Sequence, residues 1–167
     1  MHYSQIRKYD TANGVGIRTT LFVSGCTRNC KGCFNAEYKN FKHGTEWTDE
    51  IELDFIEHIN LPQIQGVSIL GGEPMDQTFD HTFANLLRNI KLRTNKNIWI
   101  YSGYTFEELV KDHDTLAILK YCDVLADGPF IEEKKDIRLA FVGSSNQRLI
   151  DVQQSLLHQK IILFKLP

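Results

Sequence analysis

The chain has 167 residues, 42% of them hydrophobic and 24% charged, which suits a single domain over residues 1–167 with one sizeable core. A net charge of −2 gives no electrostatic basis for binding nucleic acid. The longest apolar runs, such as residues 161–164, are far too short to cross a bilayer, and the first residues lack an apolar signal-peptide core, so a cytoplasmic protein with no membrane contact is expected.

Residues 19–24 are rich in β-branched and aromatic side chains and predict a strand running straight into Gly25 and Cys26. Residues 26–47 read as loop. Thr48 then caps a helix on which Ile51, Phe55, Ile56 and Ile59 keep helical spacing. A short apolar strand over 66–70 ends in Gly71, Gly72, Glu73 and Pro74. Phe79, Phe83, Leu86, Leu87 and Ile90 mark one face of the next helix, and residues 97–101 form a strand stopped by Ser102 and Gly103. Helical turns follow between Phe106 and Tyr121. A strand over 123–126 then ends at Asp127, Gly128 and Pro129. Residues 130–145 read as irregular, 147–157 fit either a strand with a turn or one helix, and 160–165 predict a closing strand.

Strands alternating with helices imply an α/β fold of parallel βα units. About five or six strands fall short of the eight of a complete barrel, leaving a partial barrel or an open doubly wound sheet. In both, chemistry collects at the carboxyl ends of the strands. Gly25-Cys26, Gly71–Pro74, Ser102-Gly103 and Asp127-Gly128 each follow a predicted strand, so four loops are expected on one face.

Three of the four cysteines, Cys26, Cys30 and Cys33, fall within one short loop. Three thiolates there can ligate three irons of a [4Fe–4S] cubane and leave the fourth iron open to a ligand, whereas a cluster closed by four cysteines mainly transfers electrons. Gly25 and Gly32 let the backbone turn around such a core. Structural zinc is the alternative, with Cys122 or a histidine as fourth ligand in a zinc-stabilised binding module. The paired two-residue spacings usual for such sites are missing, and His43, His58, His81, His113 and His158 show no ligand spacing. Cys122 itself reads as a buried thiol. Gly71 and Gly72 permit a ligand to approach the backbone, and Glu73 adds an acceptor for an ammonium group. Residues 132–135 read as a solvated charge run.

Cys26-x3-Cys30-x2-Cys33 followed by Gly71-Gly72-Glu73-Pro74 resembles the joint signature of the radical S-adenosylmethionine superfamily. Residues 10–18 further resemble the Asp-Gly-Pro-Gly-Ile-Arg element of glycyl radical enzyme activating enzymes, with Asn13 at the usual Asp and Val15 at the usual Pro. The blocks at 21–26, 98–104, 124–128 and 143–147 are most similar to the group that acts on an anaerobic ribonucleoside-triphosphate reductase. The resemblance implies a partial βα barrel, open on one side, with parallel strands and flanking helices. It implies a [4Fe–4S] cluster on Cys26, Cys30 and Cys33, with S-adenosyl-L-methionine as the second cofactor. Gly32 and Phe34 would lie near that cofactor, Gly71, Gly72 and Glu73 at its methionine end, and Asp127 at a ribose or a cation. Ser144, Ser145 and Asn146 are further candidates to face it. No side-chain general base is required. The implied partners are the reductase, as protein substrate, and a flavodoxin or ferredoxin as electron donor. Rival readings within the class are the activase of another glycyl radical enzyme and a small-molecule enzyme of the deazaguanine synthase kind. A barrel open on one side suits a protein substrate, and the 10–18 segment, Arg18 included, is a candidate to contact it.

The cysteine distribution generates a test. Replacing Cys26, Cys30 or Cys33 by Ala is expected to lower iron content and abolish adenosylmethionine cleavage, while Cys122→Ala leaves both nearly intact. Iron analysis and a 5′-deoxyadenosine assay under anaerobic conditions read the two quantities. Equal loss in Cys122→Ala and Cys30→Ala would contradict the open-iron reading.

Overall fold

The computed structural model describes residues 1–33 and 35–167. The strands are β1 (His2–Asp10), β2 (Arg18–Val23), β3 (Thr45–Glu46), β4 (Gly66–Gly71), β5 (Asn97–Tyr101), β6 (Val124–Asp127) and β7 (Arg148–Asp151). The helices are α1 (Asp49–Ile59), α2 (Thr82–Arg93), α3 (Phe106–Leu109), α4 (His113–Leu119) and α5 (Val152–His158). The fold is therefore α/β, with one mixed sheet in the order β3-β1-β2-β4-β5-β6-β7. The central four, β2, β4, β5 and β6, are parallel, as the alternation of strands and helices predicts. The flanks are antiparallel, β1 against β2 and β3 on one side and β7 against β6 on the other.

Side chains on a strand alternate between faces. Leu21, Val23, Val67, Ile69, Ile98, Ile100 and Leu125 form one buried core with residues of all five helices, among them Phe55, Leu86, Leu109, Leu119 and Val152. The helices thus cover one face, and the sheet is not doubly wound. The other alternate set, including Arg18, Thr20, Phe22, Ser68, Trp99 and Tyr101, stands outside this core.

Several sequence expectations change. The sequence pattern does not announce β1, because only Tyr3 and Ile6 of this polar strand pack against the core. Residues 147–157 are neither of the expected forms: β7 runs directly into α5, with the Asp151 carboxylate accepting from Gln154 N as its cap. The expected strand over 160–165 reduces to one bridge, Ile150 to Leu163. Hydrogen bonds from Asp151 N to Ile162 O and from Phe164 N to Leu149 O flank that bridge. Phe79 lies before α2, 60% exposed, and stacks edge-on against Phe41. The helix starts three residues later, where Asp80 accepts from Thr82 N. Arg18, expected as a candidate to contact a protein substrate, is instead 1% exposed, so its side chain is not presented to an incoming partner. Among the described residues no helix is long and apolar enough to cross a membrane.

Ile69 sits on the central strand with no exposure, while Leu92 on α2 is 69% exposed. Ile69→Ala is expected to cost about 2–5 kcal/mol of stability, through lost burial and the cavity left behind. Leu92→Ala should stay within about 0.5 kcal/mol. Urea unfolding of both variants checks the contrast.

Candidate functional site

Parallel pairing puts the carboxyl ends of β2, β4, β5 and β6 at one edge of the sheet, and the four expected loops meet there. The loop after β2 is held by backbone bonds from Gly25 N to Tyr38 O at 2.7 Å and Cys26 N to Lys39 O at 3.1 Å. The turn after β4 is bonded to it, from Gly72 N to Val23 O and from Glu73 N to Gly25 O, both at 2.8 Å. Thr27 joins them again through Asp76, whose carboxylate accepts from Thr27 N at 2.7 Å and Tyr104 Oη at 2.9 Å. The Arg28 guanidinium lies 4.5 Å over the Tyr104 ring.

Cys26, Cys30 and Cys33 are free thiols, each partly exposed, and all three line one cleft. Gly71, Gly72, Glu73, Tyr101, Ser102 and Gly103 line the same cleft, with Ala12 and Asn13 of the 11–17 loop on one side and Phe141 and Gln147 on another. The thiols and the glycine turn are therefore brought together. Burial raises the Cys26 thiol above its ordinary pKa, and the nearby charges of Glu73 and Asp76 add to this, although a contact with the Arg28 carbonyl opposes it. Metal binding there must displace that proton.

Glu73 is 2% exposed. Its Oε1 accepts from Met75 N at 3.0 Å and Ser102 Oγ at 2.8 Å, and its Oε2 accepts from Gly103 N at 2.7 Å. Burial is the largest influence and pushes the carboxyl up to about 7, against the lowering effect of these three donors. A carboxylate has about four lone-pair sites, so one on Oε2 stays available to a ligand.

Both glycines line the cleft, and the structure gives them a further task. A Cβ on Gly72 would stand 2.4 Å from the Gly25 carbonyl oxygen, and one on Gly71, at φ +113°, 2.6 Å from that of Val23. The backbone they admit is that of the thiol loop, so they set the distance between the two loops. Gly32, at φ +71°, turns the loop between Cys30 and Cys33 and is not among the cleft residues. Phe34 lies outside the described residues.

Asp127 is fully buried and does not line the cleft. Arg148 Nε donates to its Oδ1 at 2.9 Å, and Arg148 Nη2 and Phe106 N donate to its Oδ2 at 2.5 and 2.8 Å. Its charge holds the sheet edge and α3 together. Ser144, Ser145 and Asn146 are likewise not cleft residues. Ser144 Oγ accepts from Ile131 N, and Asn146 Nδ2 donates to Pro129 O. Cys122 is buried before β6, at the other end of the sheet, with its thiol against the Val124 carbonyl, so it cannot complete a metal site with the three loop thiols.

Sequence reasoning missed Tyr101. Its hydroxyl is sealed from solvent without a hydrogen-bond partner, and the ring lines the cleft. Alternation along β5, with Ile98 and Ile100 in the core, was the available signal. A buried hydroxyl left unpaired in a cleft marks a place for a ligand atom.

Residues 12–150 of this α/β sheet, with its three-thiol loop and glycine turn on one cleft, match the family described as 4Fe-4S single cluster domain, which places the chain among iron–sulfur proteins. The chain is 40% identical over 150 residues to the anaerobic ribonucleoside-triphosphate reductase-activating protein of Vibrio cholerae, covering 88% of this chain and 96% of that one. The proteins of the same name from Escherichia coli and Enterobacteria phage T4 are each 35% identical, over 88% and 89% of this chain and 96% and 93% of theirs. The chain belongs to the family of anaerobic ribonucleoside-triphosphate reductase-activating proteins.

Glu73 gives this site a pH signature. With its folded pKa raised above the ordinary 4.5, the native state holds the extra proton, so the stability it contributes is full below about 4.5 and is lost as pH rises toward 7. Carboxyl carbon resonances should show one glutamate titrating at about 7 in the protein without ligands. Ser102→Ala removes a donor to the carboxylate and is expected to move that midpoint further up.

Proposed function

We propose that the chain activates an anaerobic ribonucleoside-triphosphate reductase by generating a glycyl radical on it. The observation that carries this reading is the single cleft shared by three free thiols, the Gly71–Glu73 turn and an unpaired Tyr101 hydroxyl. Its family relatives bear the name of the partner.

The residues lining the cleft are of the kinds both implied cofactors need, although among the described residues no three ligating side chains stand together as a ready-made metal site. Cys26, Cys30 and Cys33 would hold the [4Fe–4S] cluster, with no fourth protein ligand from Cys122. The turn at Gly71 and Gly72 and the free lone pair of Glu73 would receive the amino end of S-adenosyl-L-methionine, and the Tyr101 hydroxyl would pair with a polar atom of the same ligand. Asp127, spent on Arg148, is left out of this assignment. When bound, the two cofactors supply reductive cleavage to methionine and a 5′-deoxyadenosyl radical able to take the Cα hydrogen of a glycine. The chain's own residues bind and orient the reactants, because such a radical takes hydrogen from whichever susceptible C–H bond lies nearest. Phe141 and Tyr101 furnish apolar wall in the cleft.

The finer reading of the fold is a partial barrel within one domain. Helices on one face only and the two sheet edges at β3 and β7 support it. A one-electron donor of the flavodoxin or ferredoxin kind completes the scheme.

The test uses the reductase with deuterium at its glycines, under anaerobic conditions with adenosylmethionine and a reductant. Cleavage without the reductase should be slow and uncoupled. With it, 5′-deoxyadenosine should form in step with a glycyl radical doublet in electron paramagnetic resonance and should carry deuterium. Product that forms while the deuterium stays in the reductase would defeat this reading and leave the cluster chemistry standing.

A further inference from the structure

Among the described residues Arg18 is the largest fully buried side chain, and nothing in the scheme above uses it. Its acceptors are all neutral oxygens. Nε donates to Ser68 Oγ at 2.7 Å, Nη2 to Val67 O at 2.7 Å and Asn97 O at 3.4 Å, and Nη1 to Val15 O at 3.3 Å. The Trp99 ring lies 5.1 Å from the guanidinium carbon. Among the described residues no carboxylate pairs with it; Asp10 and Asp123 act on it only through their charge.

Ser68 passes the contact on. Its hydroxyl has one proton, and that proton goes to the Asn13 carbonyl. The guanidinium therefore holds two carbonyls of the 11–17 loop, Val15 directly and Asn13 through Ser68. The loop is also anchored by Gln65 N, which donates to Ile17 O at 2.7 Å, and by Asp10, which accepts from Ala12 N at 2.8 Å and Asn13 Nδ2 at 2.6 Å, and from Thr20 Oγ1 of β2 at 2.7 Å. Ala12 and Asn13 are the residues by which this loop forms a wall of the cleft.

A buried cation among neutral groups is a poor way to gain stability, since an apolar side chain of similar volume avoids the desolvation. What the guanidinium adds is a planar fork that grips β4, β5 and the 11–17 loop at once. We propose that Arg18, acting through Ser68, is a positioning residue for radical transfer: it fixes the 11–17 loop as the wall against which the reductase's glycine segment is aligned. The inference rests on the activase reading of the cleft. Neither residue lines that cleft, so neither is needed for cluster assembly or for cleavage without the partner.

The experiment compares the full-length, cluster-loaded protein with Ser68→Ala and Arg18→Lys, the latter keeping the charge and losing the fork. Iron content and 5′-deoxyadenosine formed without reductase should stay near the level of the unsubstituted protein, because neither side chain lines the cleft. Losing one hydrogen bond to a charged group should raise the half-saturating reductase concentration about tenfold. More 5′-deoxyadenosine should also be consumed per glycyl radical. Unchanged half-saturation and coupling in Ser68→Ala would overturn the proposal. So would a parallel fall of iron content, partner-free cleavage and coupling, because that marks a purely structural role. If Arg18→Lys does not fold, Ser68→Ala decides alone. Failure of the activase reading shows in the unsubstituted protein, and failure of this inference shows only in the variants.

Discussion

The Glu73 carboxylate, buried at the edge of the sheet, is the group on which the arrangement of the loops turns. Removing a carboxylate from water is costly unless hydrogen bonds replace the lost hydration. Here the donors come from the turn after β4 and from Ser102 and Gly103 after β5, so the charge can be buried only if those two loops sit together. Backbone bonds from Gly72 and Glu73 then carry the same constraint to Val23 and Gly25, at the entrance of the thiol loop. Three loops far apart in sequence are thereby fixed relative to one another before any cofactor is present. The raised affinity of Glu73 for a proton is the residual cost of that arrangement.

The two faces of the sheet solve different problems. One is apolar and carries all five helices, which gives the strands a rigid backing. The other holds a buried cation, hydroxyls and aromatic rings, and its order comes from directional bonds. Burial lowers the Arg18 pKa to about 10, which still leaves it charged at neutral pH, and the charges of Asp123 and Asp10 limit the fall. Directional bonds specify a loop's position more sharply than apolar contact does, and the 11–17 loop, with Gly14 and Gly16 at positive φ, has little else to define it.

How much of this was legible in the sequence depends on what each residue answers to. The parallel strands announce themselves because both their faces are buried and their ends carry glycines. β1 stays hidden because it is polar on its exposed side. The pattern at Phe79 misleads because an apolar residue continues a helical period whether or not the backbone does, and the helix itself begins only at Thr82, whose N–H donates to the Asp80 carboxylate. The thiols and the Gly71–Glu73 turn could be read from spacing alone. The place of Asp127 could not, since the residue that claims it, Arg148, belongs to a strand with an ambiguous sequence. Gly72 was rightly singled out for its missing side chain, but which atoms need the space is a three-dimensional fact.

The position of Cys122 bears on how the protein ages in air. Oxygen that destroys an iron–sulfur cluster frees its thiols for oxidation. A disulfide requires Cα atoms within about 7 Å of each other. Even the four-residue β6 is about 13 Å long, and Cys122 precedes it at the end of the sheet opposite the thiol loop. Burial also keeps its thiol protonated, which makes it a poor nucleophile. Cross-links formed within the chain are thus confined to residues 26–33. A small thiol reductant reverses such links without unfolding the sheet, so oxidation that stops at the disulfide leaves all three loop thiols recoverable.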